Sequence, residues 1–190
     1  MVRRAALVAF ALLMLSATNV AAANTVKISN YLFTPASTRA GLGGKVTWKN
    51  TTLATTHTTT ADLFAMWNKT VAPGTSKSVT FNTAGTFAYH CAIHPFMHGS
   101  VGVRMKTDKT SGTSSDVFHI SWATGLITPG HGYDVQYRKG SGTWKTWFSN
   151  TTQQQGSWSP PSSGNWSFRS RYRQSSTVSG YSPLLKVTVL

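Results

Sequence analysis

Residues 87–103 read FAYHCAIHPFMHGSVGV, and this stretch governs how the rest of the chain is read. Phe87, Tyr89 and Cys91 alternate with Ala88 and His90, the two-residue period of a strand with one buried face. Val101 and Val103 repeat the period a few residues later. Similar short runs lie on both sides: 26–28, 46–48 and 79–81 before it, and 118–122, 133–137, 144–148, 166–172 and 185–189 after it. Clusters of Gly, Pro, Asn and Thr separate them. No stretch beyond residue 23 sustains a 3.6-residue period through several turns. The expected fold is therefore all-β, in two sandwiches. Residues 106–115, KTDKTSGTSS, hold no large apolar side chain and read as a connector. The expected division is 24–105 for one domain, 106–113 for a linker and 114–190 for a second domain.

Composition narrows the chemistry. Eighteen Lys and Arg face four acids, a formal charge of +14. All four acids are aspartates, Asp62, Asp108, Asp116 and Asp134, and there is no glutamate. That argues against hydrolases built on paired carboxylates and against carboxylate-rich sites for hard cations. A lone cysteine, Cys91, excludes an intramolecular disulfide and a multi-cysteine zinc site. At the N-terminus, Arg3 and Arg4 precede an apolar run over 5–15 and then Ala21, Ala22 and Ala23. This is the pattern of a secretory signal peptide, residues 1–23, cut after Ala23. The run is short for a membrane span, and no cysteine follows it to carry a lipid. The mature chain shows no transmembrane segment. The protein is expected to be exported: extracellular, periplasmic or held at the cell surface. Export makes nucleic acid a poor partner despite the charge.

Cys91, His94 and Met97 form a C-x2-H-x2-M array, and His57 lies upstream beyond the strand-like VTWKN. A thiolate, two imidazoles and a thioether make up the donor set of a type 1 copper centre. Thiolate and thioether suit Cu(I), and imidazole suits both oxidation states. His57 must come from a neighbouring strand or loop, because one tight loop cannot enclose a metal alone. One lone Cys is more often a buried small hydrophobe, and one Met more often core. Together at this spacing they point to a ligand set.

The run YHCxxHPFMxGxV resembles the copper loop of amicyanin-type cupredoxins, in the wider plastocyanin and azurin family. The resemblance covers roughly residues 24–105. It includes HTTT at His57 and the APG turn at residues 72–74. It implies a Greek-key sandwich, one copper ion, and transfer of single electrons to and from a redox partner protein. It also implies His57, Cys91 and His94 as the strong equatorial ligands and Met97 as the weak axial one. An asparagine commonly follows the first histidine in this family, whereas here Thr58 stands there, with a hydroxyl able to bond the ligand loop. His90 should point to the opposite strand face from Cys91. His98 follows Met97 and could reach solvent near the site, whereas His119 and His131, in the second half, have no metal-binding companions and read as surface or turn residues. Pro95 and Phe96, with Met66 or Trp67, are expected to form an apolar collar around the edge of His94.

The second half, with FHISWATG, GYDVQYRKGSGTWKTW, WSFRSRYRQ and YSPLLKVTVL, resembles a fibronectin type III domain over roughly 114–190. That implies an immunoglobulin-like sandwich acting as a spacer or binding module. Trp144, Trp147, Trp158 and Trp166 read as core before they read as a carbohydrate platform. Strand alternation places Arg138, Arg169, Arg171, Arg173 and Lys186 on one outward face, near Asp134. A one-signed face attracts an anionic partner: an acidic redox protein, a cell-envelope polymer or an anionic membrane surface. The expected function is electron carriage by an exported copper protein without enzymatic activity. The alternative is an envelope binding or adhesion protein whose copper domain senses, stores or buffers the metal.

Overall fold

The computed structural model describes residues 24–125 and 127–190. The signal-peptide reading falls on 1–23 and lies outside them. No helix occurs among the described residues, so none is long and apolar enough to cross a membrane. The first half supplies β1 (Asn24–Ser29), β2 (Leu32–Thr34), β3 (Ser37–Gly41), β4 (Gly44–Asn50) and β5 (His57–Ala61). It continues with β6 (Asn68–Val71), β7 (Ser76–Phe81), β8 (Gly85–His90) and β9 (His98–Arg104). Two sheets result, in the orders β2-β1-β4-β7 and β3-β9-β8-β5-β6. β1 runs parallel to β4 and β3 parallel to β9, so the chain crosses repeatedly between sheets.

Alternation produces the core directly. Val26 and Ile28 of β1, Val46 and Trp48 of β4, Phe87 and Tyr89 of β8, and Val101 and Val103 of β9 are buried. Each such side chain contributes roughly 1.5–3 kcal/mol through removal from water. Gly99 has a packing reason. A Cβ there would run into the Tyr89 ring, and Gly99 is the register partner of Tyr89 across β8 and β9. The large phenol thus lies over a residue without a side chain.

The second half forms β10 (Lys106–Thr107), β11 (Ser111–Gly112), β12 (Phe118–Ser121), β13 (His131–Lys139) and β14 (Lys145–Thr151). β15 (Gln155–Trp158), β16 (Gly164–Gln174), β17 (Thr177–Val178) and β18 (Leu185–Val189) complete it. One sheet runs β10-β12-β15 and the other β11-β18-β16-β13-β14, with β17 on β16. Residues 106–113 carry β10, which pairs with β12, and β11, which pairs with β18. Phe118, Ile120, Trp122, Val135, Trp158, Trp166 and Phe168 are buried. Trp147 packs against this core, and Trp144 is held between Arg138 and Arg169.

The two halves share a bonded seam. Thr86 and Gly180 exchange both backbone hydrogen bonds, at 2.8 and 3.0 Å, and the Thr86 hydroxyl donates to the Tyr181 carbonyl at 2.8 Å. Ala84 N donates to the Trp122 carbonyl at 2.8 Å. Phe64 meets His131 and Tyr172 edge-on. His131, read as a surface or turn residue, closes a turn with its N–H on the Thr128 carbonyl, stacks on Tyr172 at 5.0 Å and is partly exposed.

The expected basic face also differs from a free one. Asp134, nearly buried, accepts from Arg171 at 2.8 Å and from Arg173 at 3.0 Å. Arg169 donates twice to Gln136 and lies over the rings of Trp144 and Tyr181. Arg138 stacks on Trp144 and Arg171 on Tyr181, which completes an alternating ladder of cations and rings. Tertiary contacts thus engage four of the five cations, because aromatic residues on neighbouring elements reach the same face.

Candidate metal centre

β5 begins with His57, and the loop before it is held by one buried side chain. Asn50, at the end of β4, donates to the carbonyls of Thr55 at 2.8 Å and Val71 at 2.9 Å. Its oxygen accepts from the backbone and hydroxyl of Thr52. A fully bonded buried amide leaves the loop one arrangement, which fixes where His57 enters the sandwich.

The spacing in residues 91–97 folds into two successive turns. His94 N donates to the Cys91 carbonyl at 3.1 Å and Met97 N to the His94 carbonyl at 2.9 Å. Cys91 N then donates to the Met97 carbonyl at 3.1 Å, closing the loop on itself. Cys91 and Met97 are buried, and His94 is partly exposed.

Cys91 Sγ lies 3.5 Å from His94 Nδ1 and 3.9 Å from His57 Nδ1. The donor atoms of these three residues lie within 4.8 Å of one another. Bonds of about 2.0–2.3 Å from nitrogen and sulfur to a metal, arranged trigonally, separate the donor atoms by about 3.5–4 Å. The triangle therefore fits one small soft-to-borderline ion, with Met97 buried beside it.

Burial lowers the pKa of His57, and the nearby His94 lowers it further. His57 thus keeps a free lone pair at neutral pH. A histidine whose folded pKa lies below 6.5 leaves the unfolded chain binding the extra proton first, so folding weakens as pH falls below that value. The metal-free protein is expected to melt lower at about pH 5.5 than at about pH 7.5, and a His57→Gln variant should lose part of that difference.

Thr58 occupies the position after the first histidine. Its backbone N–H donates to Cys91 Sγ at 3.2 Å, and its hydroxyl accepts from Ala92 N at 2.7 Å. The hydroxyl proton faces Thr60 Oγ1 at 3.1 Å, and Thr60 donates to Asn68 Oδ1 at 3.1 Å. The hydroxyl therefore does bond the ligand loop. Partners that orient ligands commonly govern metal affinity by 10- to 100-fold. Thr58→Val is expected to weaken copper binding within about that range, measured by competition with a chelator.

The collar differs in membership from the expectation. Trp67 does not belong to it: it is buried against Trp48, Phe81 and Tyr89, with Nε1 donating to Thr59 Oγ1 at 3.0 Å. An indole with one satisfied donor is more stable inside than at a rim. Tyr31 takes its place. It meets His94 edge-on at 4.9 Å, His57 at 5.8 Å and Phe96 at 6.2 Å. Asn30 and Tyr31 both have positive φ, a turn that swings the ring over the two imidazoles. Phe96 is 69% exposed, and Pro95 is also exposed. Only the dipeptide Asn30-Tyr31 between two strand-like runs hinted at this turn. His90 points away from the cluster and pairs with Asp62 at 2.6 Å. His98 is exposed on β9, and His119 faces Ser157 Oγ.

Comparison with known proteins finds a family for the first half of the chain. The model of the cupredoxin-like domain family matches residues 4–103. Among solved structures, a proline-to-glycine mutant of amicyanin in its reduced Cu(I) form at pH 4 is 31% identical. The match covers 43% of this chain and 82% of that one, with a TM-score of 0.39. An oxidized methionine-to-leucine mutant of amicyanin is 29% identical over 43% and 81%, also with a TM-score of 0.39. No curated protein sequence matches. A family match over more than half of the residues decides the assignment: this chain belongs to the cupredoxin-like proteins, and the cofactor its site fits is one type 1 copper ion.

Proposed function

We propose that the protein is an exported carrier of single electrons and not an enzyme. His57, Cys91 and His94 would hold copper equatorially, with Met97 axial. The observation that carries this reading is the convergence of three donor atoms within 4.8 Å of one another. A site whose ligands are held by their own loop bonds needs little rearrangement when the charge at its centre changes. Copper, when bound, supplies the Cu(II)/Cu(I) couple. The chain supplies the rest. Thr58 N–H steadies the sulfur, Asn50 holds the loop that delivers His57, and Tyr31 shields both imidazoles. The partly exposed His94, beside Pro95 and Phe96, is the route by which a redox partner protein exchanges the electron. An apolar rim suits brief docking.

Residues 24–105 would form the copper domain and 114–190 a fibronectin type III-like binding or spacing module. The seam at Thr86 and Gly180 favours a module held rigidly on the copper domain over one swinging on a flexible linker.

Voltammetry of the copper-loaded protein tests the reading. A reversible one-electron wave with fast exchange is expected. Met97→Gln should keep copper but lower the potential, because a harder oxygen donor favours Cu(II). Slow exchange together with ready loss of copper to a modest chelator would favour a copper-buffering role instead.

A further inference from the structure

Four cations that make no ion pair among the described residues, Arg39, Arg104, Lys106 and Lys186, gather at the junction of the two halves, in a trough along residues 182–186. A cleft of about 600 Å³ is lined by Arg39, Arg104 and Lys186, with Ser182, Pro183 and Leu184 as its floor. A second cleft, of about 420 Å³, shares Arg104, Leu184 and Lys186 and adds Lys106. A third, of about 430 Å³, shares Leu184 and Lys186 and adds Arg138. No acid lines any of them.

Register explains the arrangement. Arg39 pairs with Gly102 and Gly41 with Arg104 in the parallel β3–β9 ladder, so both arginines stand on the same sheet face. Gly102, with no side chain, lets Pro183 pack down between them. On the other side of the junction, Arg138 is opposite Ser167, and Ser167 is opposite Lys186. A small serine between two long cations leaves a notch. The Nε of Arg138 is buried there without a hydrogen-bond partner.

The acids cannot neutralise this trough. Asp62 holds His90, Asp116 holds Lys109, Asp134 holds Arg171 and Arg173, and Asp108 accepts from Lys109 N and His119 N. Arg39, Arg104, Lys106 and Lys186 are exposed and make no ion pair among the described residues.

We propose that this trough binds a linear phosphate-bearing polymer. Charge complementarity names an anion, and the spread of cations over three joined clefts names a chain of charges and not a single ion. The side chains that line it and carry hydrogen-bonding groups are mainly cations and hydroxyls, which suit phosphate oxygens. β9 is already paired with β3 on one edge and β8 on the other, so an acidic peptide could add a strand only along the outer edge of β3. A flat membrane surface cannot follow a concave channel between two domains. The trough lies at the Arg104 end of β9, and the metal loop at its His98 end. At about 3.3 Å per residue, that separation is about 20 Å. A bound polymer would therefore tether the protein and leave the His94 edge free. The inference does not depend on the copper reading.

The test is binding of the full chain to linear inorganic polyphosphate by titration calorimetry at rising salt. Affinity should fall steeply with salt, as counterion release requires. The triple variant Arg39→Gln, Arg104→Gln, Lys186→Gln should lose about a hundredfold at low salt, with its thermal midpoint unchanged. The control Lys45→Gln, Lys49→Gln, Lys77→Gln removes the same charge from exposed positions on β4 and β7 and should change affinity only slightly. Equal losses from both triples would overturn the proposal in favour of net charge alone. Tighter binding of poly-glutamate than of polyphosphate would overturn it in favour of an acidic protein. Equal, equally mutation-sensitive binding to phosphatidylglycerol vesicles would overturn it in favour of a membrane.

Discussion

Loaded with Cu(II), the native chain should show an intense visible absorption band, and Cys91→Ser should abolish it. The band requires charge transfer from a thiolate through a short covalent bond to copper. Only one thiol exists in the chain, and it is buried with imidazole nitrogens 3.5 and 3.9 Å from its sulfur. Serine keeps the approximate shape but offers a harder oxygen with no comparable transition. The variant should still fold, since one buried sulfur contributes little to the core. Pale, weakly absorbing Cu(II) in the native protein would sink the type 1 assignment. The same pale product from Cys91→Ser, together with a normal unfolding curve, separates loss of the chromophore from loss of the fold.

Asp134→Ala should produce the largest loss of stability among single charge substitutions. The carboxylate is nearly buried and accepts from Asn150 N at 3.0 Å, Arg171 Nε at 2.8 Å and Arg173 at 3.0 Å. Burial alone would raise its pKa. The Asn150 N–H and the two guanidinium groups outweigh that and hold it below the ordinary carboxylate value. Removing it strands a backbone donor and two cations that are only about a quarter exposed. A loss of about 3 kcal/mol is expected, the lower end for breaking a buried pair because the arginines retain some water. Urea unfolding followed by tryptophan fluorescence measures it. Asp134→Asn keeps an acceptor for Asn150 and should cost less. The depressed pKa also fixes a sign: this carboxylate's stabilisation is complete above about pH 4 and disappears as pH falls through its folded pKa. A loss under about 0.5 kcal/mol for the alanine variant, typical of an exposed pair, would show that the arginines find other partners.

Much of the copper half was readable because its signals are local. Alternation in residues 87–91 follows from the strand period, and the buried sides of β1, β4 and β8 are the ones that pattern names. The C-x2-H-x2-M spacing encodes two consecutive four-residue turns sharing His94, which the backbone realises from Cys91 to His94 and from His94 to Met97. Thr58 could be named as a loop partner because a hydroxyl beside a ligand has few other uses.

What eluded the sequence depended on residues far apart in the chain. The dipeptide Asn30-Tyr31 hints at a turn, but nothing near it says that the turn will lay the Tyr31 ring against His57 and His94. Trp67 looked like rim because it follows Met66 in a loop, but a buried oxygen on Thr59 draws its indole inward. Alternation placed the arginines of β13 and β16 on the outer face, yet could not say that Trp144 and Tyr181 would fold over them. From the order of its residues alone, this protein is all-β, carries a single soft-metal donor set in one loop plus one distant histidine, and has far too few acids for its cations. Which cations remain free was decided by tertiary structure alone. Ion pairing and ring stacking act through space, over separations such as the 37 residues between Asp134 and Arg171, which no local pattern records.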